Sequence, residues 1–106
     1  MAKYLYVGSY TTEGVKGLLN DGGTGREKAV RELIESVGGT LEAIYFSFGE
    51  DDVYVVADFP DNVSGAAVAL TVGASGAFQG RTVVLMEPSE IDDAVKKSPR
   101  YRAPGG

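Results

Sequence analysis

The chain contains no cysteine, no histidine and no tryptophan. Without cysteine there is no disulfide, no thiolate nucleophile and no zinc–thiolate site. Without histidine, histidine-ligated haem, the two-His-one-carboxylate iron site and the Ser-His-Asp triad are excluded, together with the commonest general base near neutral pH. Any acid–base chemistry must therefore use Asp, Glu, Lys or Tyr. Long hydrophobic runs are lacking too. No stretch approaches the ~18 uninterrupted apolar residues of a membrane-spanning helix, and the opening "MAKYLYVGSY" is too short and too polar for a signal peptide. Positive charge is scarce, with 10 Lys and Arg against 15 Asp and Glu and a net charge of −5. That field repels phosphate backbones and no Lys/Arg cluster stands out against it, so neither nucleic acid nor a membrane is an expected partner. A soluble, cytoplasmic protein is the expectation.

What remains is ordinary globular composition: 106 residues, 43% hydrophobic and 24% charged. This fits one compact domain, placed at residues 1–98, with 99–106 as a loosely held tail. "KYLYVGSY" (Lys3 to Tyr10) has strand composition, with Leu5 and Val7 on one face and Tyr4, Tyr6 and Tyr10 on the other. Thr11 or Thr12 can cap a short helix over "TEGVKGLL", which "NDGG" at 20–23 should break. Thr24 and Glu27 have capping-box spacing ahead of a second helix that aligns Ala29, Val30, Leu33, Ile34 and Val37, and Gly38 with Gly39 supplies its stop. "LEAIYFSF" and "DVYVVADF" read as a hairpin, with Pro60 ending the second strand. Asn62 or Ser64 can cap an Ala-rich helix to about Val72, "RTVVLME" is the last strand, and Pro88 opens a short helix aligning Ile91, Ala94 and Val95.

The order β-α-β-β-α-β with a C-terminal helix predicts an α+β, ferredoxin-like fold whose crossover helices cover only one sheet face. Val53, Val55, Ala57 and Phe59 form the face for the helices. Tyr54 and Val56 point the other way, and the alternation of the first strand places Tyr4, Tyr6 and Tyr10 beside them. A face of tyrosines and valines is too apolar to leave wet. The expected partner is a second copy packed sheet to sheet, giving a homodimer that closes into a dimeric α–β barrel, or a higher homo-oligomer.

Three stretches, "YVGSYTTEGVKGLL", "LEAIYFSFGEDDVYVVADFPD" and "ALTVGASGAFQGRT", resemble the GYD domain family of small bacterial and archaeal proteins, over roughly positions 3 to 98. The resemblance implies a fold related to dimeric α–β barrel proteins and assigns no activity. The family's Gly-Tyr-Asp signature lies in the turn between strands two and three. Gly49 matches its glycine and Asp52 its aspartate, while Asp51 occupies the tyrosine position. A phenol required there would have to come from Tyr54 or Tyr45.

The same turn carries three consecutive carboxylates, Glu50, Asp51 and Asp52. They lack the alternate spacing and closing Glu of an EF-hand loop, so no metal site is expected, and in an extended segment only Glu50 and Asp52 could converge as a dyad. The favoured reading is a turn in which Gly49 takes a positive φ, Glu50 and Asp51 face water, and Asp52 turns back to backbone amides. Asp61 and Asn62 read as helix-start residues, and "NDGGTGRE", without the Lys-Ser/Thr ending of a phosphate loop, as a flexible connection. Candidate ligand-binding residues are Tyr6, Tyr10, Tyr45, Asp52, Tyr54 and Arg81. The tyrosines would line a pocket for a small aromatic or acidic molecule, with Arg81 or Arg26 holding a carboxylate. No cofactor is expected. The preferred reading is an oligomeric small-molecule-binding or structural module; the alternative is a cofactor-independent isomerase or monooxygenase of the dimeric α–β barrel type, with Asp52 as base and a tyrosine as partner.

Overall fold

The structure is a computed structural model and describes residues 2–106. Its elements are β1 (Ala2–Tyr10), α1 (Thr12–Glu35), β2 (Thr40–Phe46), β3 (Val53–Phe59), α2 (Asn62–Ala74), β4 (Phe78–Leu85) and α3 (Pro88–Val95). The strands form one antiparallel sheet in the order β2-β3-β1-β4, the arrangement of a ferredoxin-like βαββαβ fold extended by a C-terminal helix.

Local sequence accounts for most of the boundaries. The Thr11 hydroxyl accepts the amide of Gly14 and starts α1. The glycine cluster interrupts this helix at a single residue, Gly22, whose φ of 73° is one that a side chain would strain. The second half of α1 ends where Gly38, at φ 83°, turns the chain and the Gly39 amide reaches back to the Ile34 carbonyl. Pro60 closes β3, and the cap of α2 is Asp61 rather than Asn62 or Ser64. The Asp61 carboxylate accepts the Ser64 amide at 2.8 Å, which holds its pKa below the usual carboxylate value. Asn62 is thereby free for another task, accepting the Tyr4 hydroxyl. The last strand begins at Phe78, earlier than its run of β-branched residues suggests, because Gly76 (φ 74°) turns the chain immediately before it.

The core lies between the sheet and the two crossover helices. Val53, Val55, Ala57 and Phe59 do face the helices, and Ile34 from α1, Leu41 from β2 and Val68 from α2 close over them. Helix α2 approaches so closely at Gly65 that a Cβ there would stand 2.9 Å from the Tyr4 ring.

The expected alternation of β1 is reversed. Tyr4 lies opposite Ala57 and Tyr6 opposite Val55, so both tyrosines point into the core, and Tyr10 packs edge-on to Phe78 on the same side. Tyr4 is buried against Phe59, with ring centroids 5.8 Å apart. The physical reason is the pair of hydroxyls: α2 offers the Asn62 side chain to Tyr4 and the Gly65 carbonyl to Tyr6, so both phenols can enter the core satisfied.

The opposite face carries Leu5 and Val7 of β1 beside Tyr54 and Val56 of β3, Tyr45 of β2 and Val83 of β4. Among the described residues α1 and α2 pack on the other face and α3 buries none of its residues, so no helix covers this one. Tyr45 is 69% exposed, and Tyr54 and Val83 are each 37% exposed. It is an apolar face, as expected, but Leu5 and Val7 stand where Tyr4, Tyr6 and Tyr10 were expected, and Val7 is itself buried.

Candidate functional site

A cavity of about 390 Å³ opens between the second half of α1, helix α2 and the sheet. That volume lies within the range of small-molecule sites. Two helices and the sheet build it. Helix α1 turns Val30 and Leu33 toward the sheet, α2 contributes Val68 and Val72, and the floor is Tyr6, Tyr10 and Phe78 from β1 and β4. Phe78 lies flat because Gly8 and Gly80 face each other beneath it: a Cβ on Gly8 would come within 2.8 Å of the Phe78 ring, and one on Gly80 within 2.6 Å. Two small residues in register thus make the slot that holds the aromatic floor.

The polar groups of the cavity are few. The Tyr6 hydroxyl donates to the Gly65 carbonyl at 2.8 Å, and burial, with the neighbouring Tyr4, pushes its pKa up to about 12. Arg26 borders the cavity from α1, with its guanidinium 3.4 Å from Asp21. Arg81 borders it from β4, while its guanidinium reaches Asp51 at 3.7 Å, on the turn after β2. Among the described residues no Asp, Glu or Lys lines this cavity.

The candidate residues therefore divide into three places. Tyr6 and Tyr10 meet at the cavity, whereas Arg81 borders it but, lying opposite Val7 and paired with Asp51, does not bring its guanidinium to it as expected. Tyr45 and Tyr54 are cross-strand partners on the open face and take no part in it. Asp52 stands at the mouth of the β2–β3 hairpin: its carboxylate accepts the Tyr10 amide at 3.0 Å, its own amide donates to the Gly8 carbonyl, and its carbonyl accepts the Ser47 amide. These three bonds tie the hairpin to the end of β1, which is a positioning task for backbone. Asp51, at the signature's tyrosine position, faces Arg81. Gly49 does not have a positive φ; the turn is closed by its amide donating to the Ser47 hydroxyl. Phe78 and the aliphatic lining were not singled out from sequence, although the spacing of Gly80 two residues after Phe78 on one strand face is the signal that marks the slot.

Two expected results follow from these bonds. Asp52→Ala removes the acceptor of a partly buried amide and lowers unfolding free energy by about 1–3 kcal/mol, whereas Asp52→Asn keeps an acceptor oxygen and loses about 1 kcal/mol or less. Urea titration of both variants reads the difference, and equal losses would show that the Tyr10 amide is not the partner that matters. Tyr6 makes the chain sensitive to alkali. Its phenol ionises near 10 in the unfolded chain but only at about 12 when folded, so the stability it lends is whole below pH 10 and is lost as pH rises from 10 through 12. Tyr6→Phe should be the less alkali-sensitive protein when unfolding is compared at pH 9 and pH 11.

Comparison with known proteins gives one family. The family model described as the GYD domain matches residues 4–95. No curated protein and no solved structure matches the chain. Among the described residues, no helix is long and apolar enough to cross a membrane, and no group of three or more carboxylates is gathered to hold a metal ion.

Proposed function

The chain belongs to the GYD domain family, and on that premise we propose that it is a small-molecule-binding module that takes an aromatic or branched aliphatic acid in the cavity between its helices and its sheet, and that works as a homodimer joined through the open sheet face. The observation that supports the reading is the composition of the cavity: an apolar chamber of about 390 Å³ with a guanidinium at its edge and no carboxylate or amine in its wall. Apolar walls favour a ring or branched chain. Arg26, already within 3.4 Å of Asp21, can exchange that partner for a ligand carboxylate in the bidentate manner guanidinium favours.

The same observation weighs against the enzymatic alternative. A proton abstraction needs a base near the substrate. Asp52 does not line the cavity, and the Tyr6 phenol keeps its proton throughout the neutral range and spends it on the Gly65 carbonyl. Binding accounts for the groups present without requiring chemistry from any of them.

A thermal-shift series with benzoate, phenylacetate, branched-chain carboxylates and their amides tests this. A ligand at 100 times its Kd adds about 2.7 kcal/mol to native stability. For a domain of this size that raises the melting temperature by roughly 10–20 °C. Carboxylates should exceed their amides, and Arg26→Gln should remove the difference. Equal shifts from acids and amides in the unaltered protein would refute the role given to Arg26.

A further inference from the structure

The chain does not fold all of itself onto the core. Its radius of gyration is 16.9 Å and its long axis 57 Å, against about 13 Å expected of a compact chain of this length. The excess lies at the C-terminal end, where every residue from Met86 to Gly106 is exposed. Within this arm, α3 is well formed: Glu87 and Glu90 make a reciprocal capping box and Pro88 occupies the first turn. Yet its apolar stripe, Ile91, Ala94 and Val95, has none of its residues buried. Beyond the helix come Lys96, Lys97, Arg100 and Arg102, four of the ten basic residues of the chain, and no acid follows Asp93.

A surface of the opposite kind lies at the other end of the sheet. A shallow apolar groove runs between the first half of α1 and the β2–β3 hairpin, lined by Val15, Leu18, Phe46 and Phe48, with Phe48 fully exposed. Its acidic groups are Asp52 in the lining, whose carboxylate also accepts the Tyr10 amide, with exposed Glu50 and the Arg81-paired Asp51 next to it in the turn. The arm leaves at Leu85, opposite Lys3, whereas the hairpin mouth is fixed to Gly8, about 17 Å farther along β1 at ~3.4 Å per residue. The arm projects away from its own groove. Two copies facing each other through their open sheet faces about a two-fold axis perpendicular to the strands bring the arm of each to the hairpin end of the other, where it passes round the end of the sheet to reach the groove on the helix side.

We propose that residues 86–106 form an exchange arm that seats the α3 stripe in the apolar hairpin groove of a second copy of this chain and lays the basic tail along that copy's Glu50–Asp52 turn. The inference rests on the reading that two copies join through the sheet face. It adds that the pair is clasped at both ends, and it gives the acidic turn of the family signature an intermolecular task.

The absence of cysteine makes the test direct. The 106-residue chain carrying Val95→Cys and Phe48→Cys, treated with a short bis-maleimide, should migrate as a covalent dimer on a denaturing gel. Each single-cysteine chain should remain at monomer mass. Replacing Lys96, Lys97, Arg100 and Arg102 by Glu in the double-cysteine chain should lower the yield of covalent dimer at least several-fold. Light scattering on the same samples separates the two readings. A non-covalent dimer that yields no cross-link, or a link closed within one chain, overturns the arm while leaving the sheet-face dimer standing; a monomer mass before cross-linking overturns both.

Discussion

Phe59→Ala should lower unfolding free energy by about 3–5 kcal/mol, the usual cost of emptying a fully buried phenylalanine site. Phe59 is completely buried at the end of β3 and stands where three elements meet. Its ring is edge-on to Tyr4 at 5.8 Å and to Tyr6 at 6.3 Å, and the backbone of Gly39 runs so close that a Cβ there would lie 2.7 Å from Cδ1. The site cannot collapse easily. Gly39 is held by its bond to Ile34, and the two tyrosines are anchored through their hydroxyls to α2, so the lost ring leaves a void and two unsupported aromatic faces. A domain of this size has only about 5–15 kcal/mol in total, so the variant should be largely unfolded well below the urea midpoint of the unaltered chain. Tyrosine fluorescence follows the transition without interference, since the chain has no tryptophan. A loss under about 1 kcal/mol would mean that the core is centred elsewhere.

Tyr54→Glu combined with Val83→Glu should convert the protein from about twice 11.1 kDa to 11.1 kDa in solution. Both residues lie on the open face and both keep 37% of their surface accessible in the single chain, so glutamate at either position is solvated in the monomer. Packed against a second sheet, the same carboxylates lose water without gaining partners, at a cost of several kcal/mol. That is enough to weaken association by more than ~100-fold. Circular dichroism should show the double variant folded. An unchanged molar mass would place the contact between copies elsewhere on the molecule, and an unfolded variant would show that this face is needed within one chain.

The sequence made the element order, the glycine stop of α1, the inward face of β3 and the Pro88 start of α3 readable, because each rests on residues within a few positions of one another; the Glu87 cap of α3 emerges only in the structure. Val53, Val55, Ala57 and Phe59 alternate with Tyr54, Val56 and Asp58, and only one of these sets is wholly apolar. The direction of β1 was not readable by the same rule. Both of its faces are apolar, Tyr4 and Tyr6 on one and Leu5 and Val7 on the other, so alternation separates the faces without saying which is inside. What decides is the pair of acceptors on α2, Asn62 and the Gly65 carbonyl, almost sixty residues away. The tyrosine cluster was therefore split: Tyr6 and Tyr10 reach the cavity, and Tyr45 and Tyr54 stay on the open face. The cavity itself depends on Phe78 lying across Gly8 and Gly80; the Phe78–Gly80 spacing is local, but the pairing with Gly8 on another strand is not.

The central claim is that the chamber between the helices and the sheet holds a small organic acid. Titration calorimetry of the most stabilising carboxylate against the unaltered chain and against Val72→Trp, whose indole would occupy the chamber, tests it most directly. The account predicts saturable binding with one site per chain in the first and at least ~100-fold weaker binding in the second, with the variant still folded by circular dichroism. Equal affinity for both proteins would contradict it.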